Sequence, residues 1–298
     1  MYDKMQRLGG SRVLGYAAGI AAGVSYGLNP LFAKPLMDSG VPVLVMLFFR
    51  YFFSALMLGG WMILRKESFR VNGGELRILA MLGLLFACSS LFLFCSYNYI
   101  PSGLATTLVY LYPVFVAIIM VALKVIPDWR TWLSIVATFV GILLLSKPSG
   151  GAVIHIGGLA LAVVSALSYA FYLVVVNRSR RIRHVSEHTL TFYALLTGSI
   201  FFAVIRTAQG GGLVEGVDTL SDWGLLAGLA IFPTMVSMLT LAVSTRIIGP
   251  TKTSVLGVFE PLTAMFVGVA VFGELLTAQM AVGVCICIAA VVFMIRKA

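Results

Sequence analysis

Runs of roughly twenty apolar residues, the length that crosses a bilayer, recur along the whole chain and are separated by short polar links. No other feature restricts the fold as much. Inside lipid every backbone N–H and C=O must be satisfied by the protein itself, so runs of this length must be helices packed side by side. The 298 residues are 60% hydrophobic and 11% charged, against about 25% charged in a soluble domain, and the mean hydropathy is +1.02. A water-soluble globule is excluded. The pattern predicts ten spans, near 13–36, 43–64, 78–97, 102–123, 129–145, 156–176, 189–204, 223–245, 250–274 and 278–295, and leaves almost nothing for a soluble domain. The first run, behind Lys4, Arg7 and Arg12, is too long for a signal peptide and is expected to remain as a helix.

The formal charge of +10 belongs to topology. Lys34, Lys147 and Arg206 fall beside one set of span ends and Arg50 lies inside a span. The other 17 of the 21 Lys and Arg residues fall beside the opposite ends. By the positive-inside rule both termini are cytoplasmic, which an even number of spans allows. A multi-pass protein of the cell (inner or plasma) membrane is expected, with the lipid bilayer and a small-molecule substrate as partners and no nucleic acid; monomer and homodimer both fit. Cys88, Cys95, Cys285 and Cys287 sit in apolar runs without metal-ligand spacing, and His155, His184 and His188 lie near span ends. No cofactor, metal or catalytic residue is expected, and the chain does not read as an enzyme.

The ninth run carries the pair Glu260-Pro261 near its middle. A carboxylate at that depth costs roughly 2.5–3.5 kcal/mol to insert and faces protein or a watery cavity. Pro261 lacks the N–H that would bond the carbonyl four residues back, so the helix is expected to kink beside the acid. Pro30 and Pro113 are expected to kink spans one and four. Gly15, Gly19, Gly23 and Gly27 form a stripe that admits a close helix neighbour. Arg50 lies about 12 Å into span two. Its depth would allow a pair with Glu260; snorkelling to the near interface or bonding to carbonyls is the expected role.

The chain also reads as duplicated. A shift of 143 residues carries the glycine stripe onto Gly158, Ala162, Ala166 and Ala170, and Ser25-Tyr26 onto Ser168-Tyr169. A shift of 148 carries Ser89 onto Ser237, Ser96 onto Ser244 and Pro113 onto Pro261. Halves of five spans, 1–150 and 151–298, have an odd number each, so the second is inverted relative to the first. The expected fold is all-α and integral to the membrane: ten transmembrane helices as two inverted five-helix repeats around a central cavity.

Tyr26-Gly27-Leu28-Asn29, Arg50, the run from Ser102-Gly103-Leu104-Ala105 to Tyr112-Pro113, Ser168-Tyr169-Ala170, Glu260-Pro261 and Gly273-Glu274 resemble the EamA family of the drug/metabolite transporter superfamily over essentially the whole chain. The resemblance implies a cavity lined mainly by spans one, three, four, six, eight and nine, and substrates among amino acids, other metabolites, drugs or nucleotide sugars. Tyr26 and Tyr169 depart from it, standing where such proteins often have tryptophan. Glu274 has no counterpart after span four, where Ile126 falls at its position and Asp128 two residues on.

The resulting expectation is a secondary transporter, an exporter of small organic metabolites such as amino acids, since no phosphate-binding GxxxxGK[ST] loop occurs. Tyr26, Asn29, Ser89, Ser96, Tyr110, Tyr169, Tyr172, Ser237 and Ser244 are the candidate substrate-binding residues. Glu260 is the candidate for proton coupling or for holding a substrate amine. An exchanger of nucleotide sugars or other phosphorylated solutes is the alternative, disfavoured because Arg50 is the one deep cation. A structural membrane protein or an intramembrane enzyme is the alternative from another class. Span four leaves a conflict, because Thr106, Tyr110 and Pro113 share one face whereas Tyr112 is the repeat counterpart of Glu260.

Overall fold

The computed structural model describes residues 2–96, 99–100, 105, 108–145, 155–273 and 277–295. Among these there is no strand. The helices are α1 (Tyr2–Gly27), α2 (Asn29–Asp38), α3 (Val43–Leu64), α4 (Gly73–Ser96), α5 (Tyr112–Ala122), α6 (Trp129–Leu145), α7 (Ile156–Arg178), α8 (Glu187–Ala208), α9 (Leu220–Ala230), α10 (Ser237–Ile248), α11 (Pro250–Leu256), α12 (Phe259–Ala270) and α13 (Ala278–Ile295). Among the described residues seven helical stretches are long and apolar enough to cross a membrane: Val43–Leu64, Gly73–Ser96, Ile156–Arg178, Glu187–Ala208, Leu220–Ile248, Pro250–Ala270 and Ala278–Ile295. α5 and α6 are shorter apolar helices. Much of the motif at 102–105, the residue Thr106 and Glu274 lie outside the described residues.

Prolines set the interruptions. Pro30 cannot donate to the carbonyl of Tyr26, and the chain breaks at Leu28 before restarting with Pro30 in the first turn of α2. α5 begins in the same way at Tyr112-Pro113 after a turn at Tyr110-Leu111. α12 begins at Phe259, after a turn at Gly257-Val258. Between α9 and α10, Ile231–Val236 winds as a π-helix around Pro233.

The most extensive packings pair α3 with α8, α4 with α7, α1 with α10, and α6 with α13; α5 lies on α7 and α11. Side-chain hydroxyls tie these pairs together at depth. Ser165 Oγ donates to the Ser89 carbonyl at 2.7 Å, Ser237 Oγ to the Ala22 carbonyl at 3.0 Å, and Ser134 Oγ to the Ala290 carbonyl at 2.9 Å. The glycine stripe of α1 serves the close approach expected of it: a Cβ at Gly15 would stand 2.7 Å from Ile248 and one at Gly23 2.9 Å from Phe259.

α4 meets α8 as tightly at Gly83, where a Cβ would lie 2.6 Å from the carbonyl oxygen of Ala194 and 2.7 Å from Thr197. Backbone cannot swing aside, so Gly83→Val is expected to cost about 1–3 kcal/mol through overpacking. The readout is a lowered melting temperature in detergent. Gly60→Ala is the control and does not lower the melting temperature, since nothing lies within 4 Å of a Cβ there and alanine favours the helix.

Candidate functional site

Arg50 organises the middle of the bundle. It is 1% exposed, which overturns the snorkelling expectation, and its partners come from two distorted helices. Nε donates to Thr234 Oγ1 at 2.6 Å, Nη2 to the Pro233 carbonyl at 3.4 Å and Nη1 to Asn29 Oδ1 at 3.5 Å. The guanidinium also lies over the Tyr26 ring, 5.0 Å from its centroid. The π-helix explains why acceptors are there. Pro233 has no N–H for the Leu229 carbonyl, and the Thr234 hydroxyl donates to that oxygen instead at 2.9 Å. Ser54 Oγ reaches the Ala230 carbonyl at 2.7 Å and the Arg50 carbonyl at 2.6 Å. The Leu229 and Ala230 carbonyls before the proline are thus each met by a side-chain hydroxyl.

Pro261 produces a second set of freed groups. The carbonyl four residues back belongs to Gly257; it accepts the Glu260 N–H at 2.9 Å and the Tyr110 hydroxyl at 3.5 Å. Tyr112 OH donates to the Ser254 carbonyl at 2.9 Å. A Cβ at Gly257 would overlap the Tyr112 hydroxyl, so glycine is required for that tyrosine to seat. Glu260 is half-buried and lines the same cavity as Tyr26 and Tyr110, in electrostatic reach of Arg50.

Two cavities meet at Tyr26 and Glu260. The larger, about 320 Å³, is bounded by Asn29, Pro30, Tyr110 and Pro261 and runs to Lys34 and Asp38 near the end of α2. Lys34 Nζ lies over the Phe272 ring at 4.4 Å. The smaller, about 30 Å³, extends past Ser89, Tyr112 and Tyr169. It ends against packed rings: Tyr112 stands 4.8 Å from Tyr169, and Tyr172 stacks 6.3 Å from Tyr169 at 12°.

The expected site residues therefore separate into two groups. Tyr26, Asn29, Ser89, Tyr110, Tyr169 and Glu260 come together on the cavities. Ser96, Ser237, Ser244 and Tyr172 are not among their lining residues. Ser96 Oγ donates to the Leu93 carbonyl at 2.6 Å, Ser237 is bonded to Ala22, and Ser244 Oγ pairs with Thr253 Oγ1 at 2.9 Å. Tyr172 is fully buried with no partner for its hydroxyl among the described residues. The conflict over span four is resolved by the turn at Tyr110-Leu111, which lets Tyr110 face the larger cavity and Tyr112 the smaller. Sequence reasoning missed Thr234, Ser54, Lys34 and Asp38. Pro233-Thr234 inside an apolar run was the available signal for the first, because a mid-span proline frees a carbonyl that a neighbouring hydroxyl can take up.

The fold and the site together define a class: a multi-pass helical membrane protein with an ionisable cavity inside its bundle. The chain belongs to the EamA-like transporter family, whose model matches residues 13–147 and, separately, 156–296. It is similar to an uncharacterized transporter of Archaeoglobus fulgidus, 27% identical over 195 residues that cover 65% of this chain and 67% of the relative. It is also similar to an uncharacterized transporter of Synechocystis sp., 28% identical over 209 residues covering 68% of this chain and 62% of the relative. A protein of known crystal structure superposes with a TM-score of 0.79 over 95% of this chain and 97% of its own, at 14% identity, and so shares the fold.

Proposed function

We propose that this transporter is a secondary carrier that exports a small organic metabolite, such as an amino acid, by alternating access between two inverted halves, 1–150 and 151–298. One observation carries the reading: Glu260 lies beside Tyr26 and Tyr110 on a largely apolar cavity of about 320 Å³, whose other acid, Asp38, stands near the end of α2 with Lys34. Pockets for small molecules begin near that size, with mostly apolar walls and a few placed polar groups. Tyr26, Asn29, Tyr110 and Tyr169 contact the solute, and Glu260 carries the proton or meets an amine.

Several features support the inverted halves. The family model matches twice, once in each half. The Ser165–Ser89 and Ser237–Ala22 bonds occupy equivalent places, since Ser237 follows Ser89 by 148 residues and Ser165 follows Ala22 by 143. Exchanging the halves converts the α1–α10 packing into the α7–α4 packing and leaves α3–α8 and α6–α13 unchanged as pairs. With the arginine-rich side and both termini in the cytoplasm, the cavity opens away from the cytoplasm toward Lys34 and Asp38, and the tyrosine stack closes the other end. The phosphorylated-solute alternative is disfavoured, because Arg50 already serves Thr234, Pro233 and Asn29 and has little left to offer a phosphate.

The test compares metabolites accumulated by everted inner-membrane vesicles with and without the protein, then follows the hit in proteoliposomes. A zwitterionic or amine-bearing solute should accumulate and lose accumulation when the proton gradient is collapsed. Accumulation of a sugar nucleotide by exchange, unaffected by the gradient, would replace this reading with the alternative.

A further inference from the structure

A cavity of about 510 Å³ lies at the arginine-rich end of the bundle, separate from the central site. Arg178 ends α7, Arg180 and Arg183 belong to the link that follows, Arg246 comes from the last turn of α10, and Glu187 opens α8. Loop arginines are by themselves explained by topology. Two facts go further here. Arg246 is held in place: Nη1 donates to the Val185 carbonyl at 2.6 Å and to Glu187 Oε1 at 3.0 Å, and Nη2 to the Ile182 carbonyl at 3.2 Å. Its Nε is closed to solvent, so what Arg246 presents to the cavity is a fixed positive charge rather than a free Nε donor. The cavity also sets four guanidiniums against a single carboxylate, Glu187, already engaged by Arg246.

We propose that this cavity binds the phosphate group of an anionic ligand. Guanidinium forks match phosphate oxygens in pairs, and the start of α8, capped by Ser186, adds the positive end of a helix dipole. The volume exceeds what a bare phosphate fills, so the phosphate belongs to a larger body, either the headgroup of an anionic lipid or a soluble phosphorylated metabolite. Such a ligand would tie α7, α8 and α10 together at the closed end of the bundle.

The test uses the full chain reconstituted in phosphatidylcholine nanodiscs. Inorganic phosphate is titrated by calorimetry, and retention of phosphatidylglycerol against phosphatidylcholine is read by native mass spectrometry. Saturable binding of one ligand per chain is expected, weakened at least about tenfold in Arg178→Gln/Arg183→Gln by loss of charge-assisted bonds and unchanged in Lys66→Gln/Arg77→Gln, a basic pair outside the cavity. Arg178 and Arg183 are chosen because both are exposed, whereas Arg246 braces the fold. Selective retention of phosphatidylglycerol without a phosphate response identifies the lipid as source, and a phosphate response identifies the soluble ligand. Absence of saturable binding to either probe, or equal loss in both double variants, would overturn the site. Neither result bears on central-cavity flux, so this site and the transport reading fail independently.

Discussion

The Glu260→Gln variant is expected to reach the membrane at parental yield and to lose solute flux by about ten- to hundredfold, as follows from removing a charge-assisted bond worth about 1.5–3 kcal/mol. Its residual flux should no longer respond when a proton gradient is collapsed. Glutamine keeps the size and shape of the side chain, so the walls of both cavities are preserved. What disappears is the proton and the charge. Glu260→Asp retains both on a side chain one methylene shorter, and should recover the response to the gradient even where flux remains low. Proteoliposomes loaded at matched and unmatched pH give the measurement. Parental flux with an undiminished gradient response in Glu260→Gln would remove the acid from the mechanism.

Much of this site was legible because apolar runs leave polar residues few alternatives. Glu260 and Pro261, like Tyr26 and Tyr110 on other runs, stand out among apolar neighbours, and the structure brings the four together on the larger cavity. Span ends were less legible where polar caps extend a helix beyond its apolar run. α4 begins at Gly73 rather than near 78, because Asn72 Oδ1 accepts the Glu75 N–H at 2.9 Å and Glu75 Oε2 accepts the Asn72 N–H at 2.9 Å. α9 begins at Leu220 rather than near 223 for the same reason, with Thr219 and Asp222 capping each other. The N-x-x-E and T-x-x-D spacings were present, but hydropathy registers only the apolar part. The π-helix around Pro233 could not be read along the chain at all, since the groups that stabilise it, Arg50 and Ser54, come from a helix some 180 residues away.

The same argument explains the serines. Their spacing placed Ser89, Ser96, Ser237 and Ser244 on shared helix faces, yet a hydroxyl in lipid serves a nearby carbonyl as readily as a solute. Only the position of the neighbouring backbone decides between these roles. Ser237 stands against Ala22, and Ser96 turns back to Leu93. Ser89 alone of the four lines a cavity, while its carbonyl accepts from Ser165.

Arg50→Met should produce the largest loss of stability of any single substitution in the central site. The side chain is 1% exposed and joins the break between α1 and α2, through Asn29, to the π-helix, through Thr234 and Pro233. Methionine fills much of the space but supplies no donor. The Pro233 carbonyl would lose its guanidinium, and Glu260 would lose its compensating charge at mid-depth. Losing a buried charged donor costs about 1.5–3 kcal/mol for each bond it made. Arg50→Lys keeps the charge but lacks the planar fork that reaches three acceptors at once, so it should fall between parent and Arg50→Met. Melting in detergent orders the three proteins, and a double-mutant cycle isolates the electrostatic part. Because Glu260→Gln removes the acid left uncompensated in Arg50→Met, the double variant should melt above the sum of the two single losses. Strict additivity would mean that Arg50 braces α3 against the π-helix without sensing Glu260, and that proton movement at the acid is not transmitted through Arg50 to the two distorted helices.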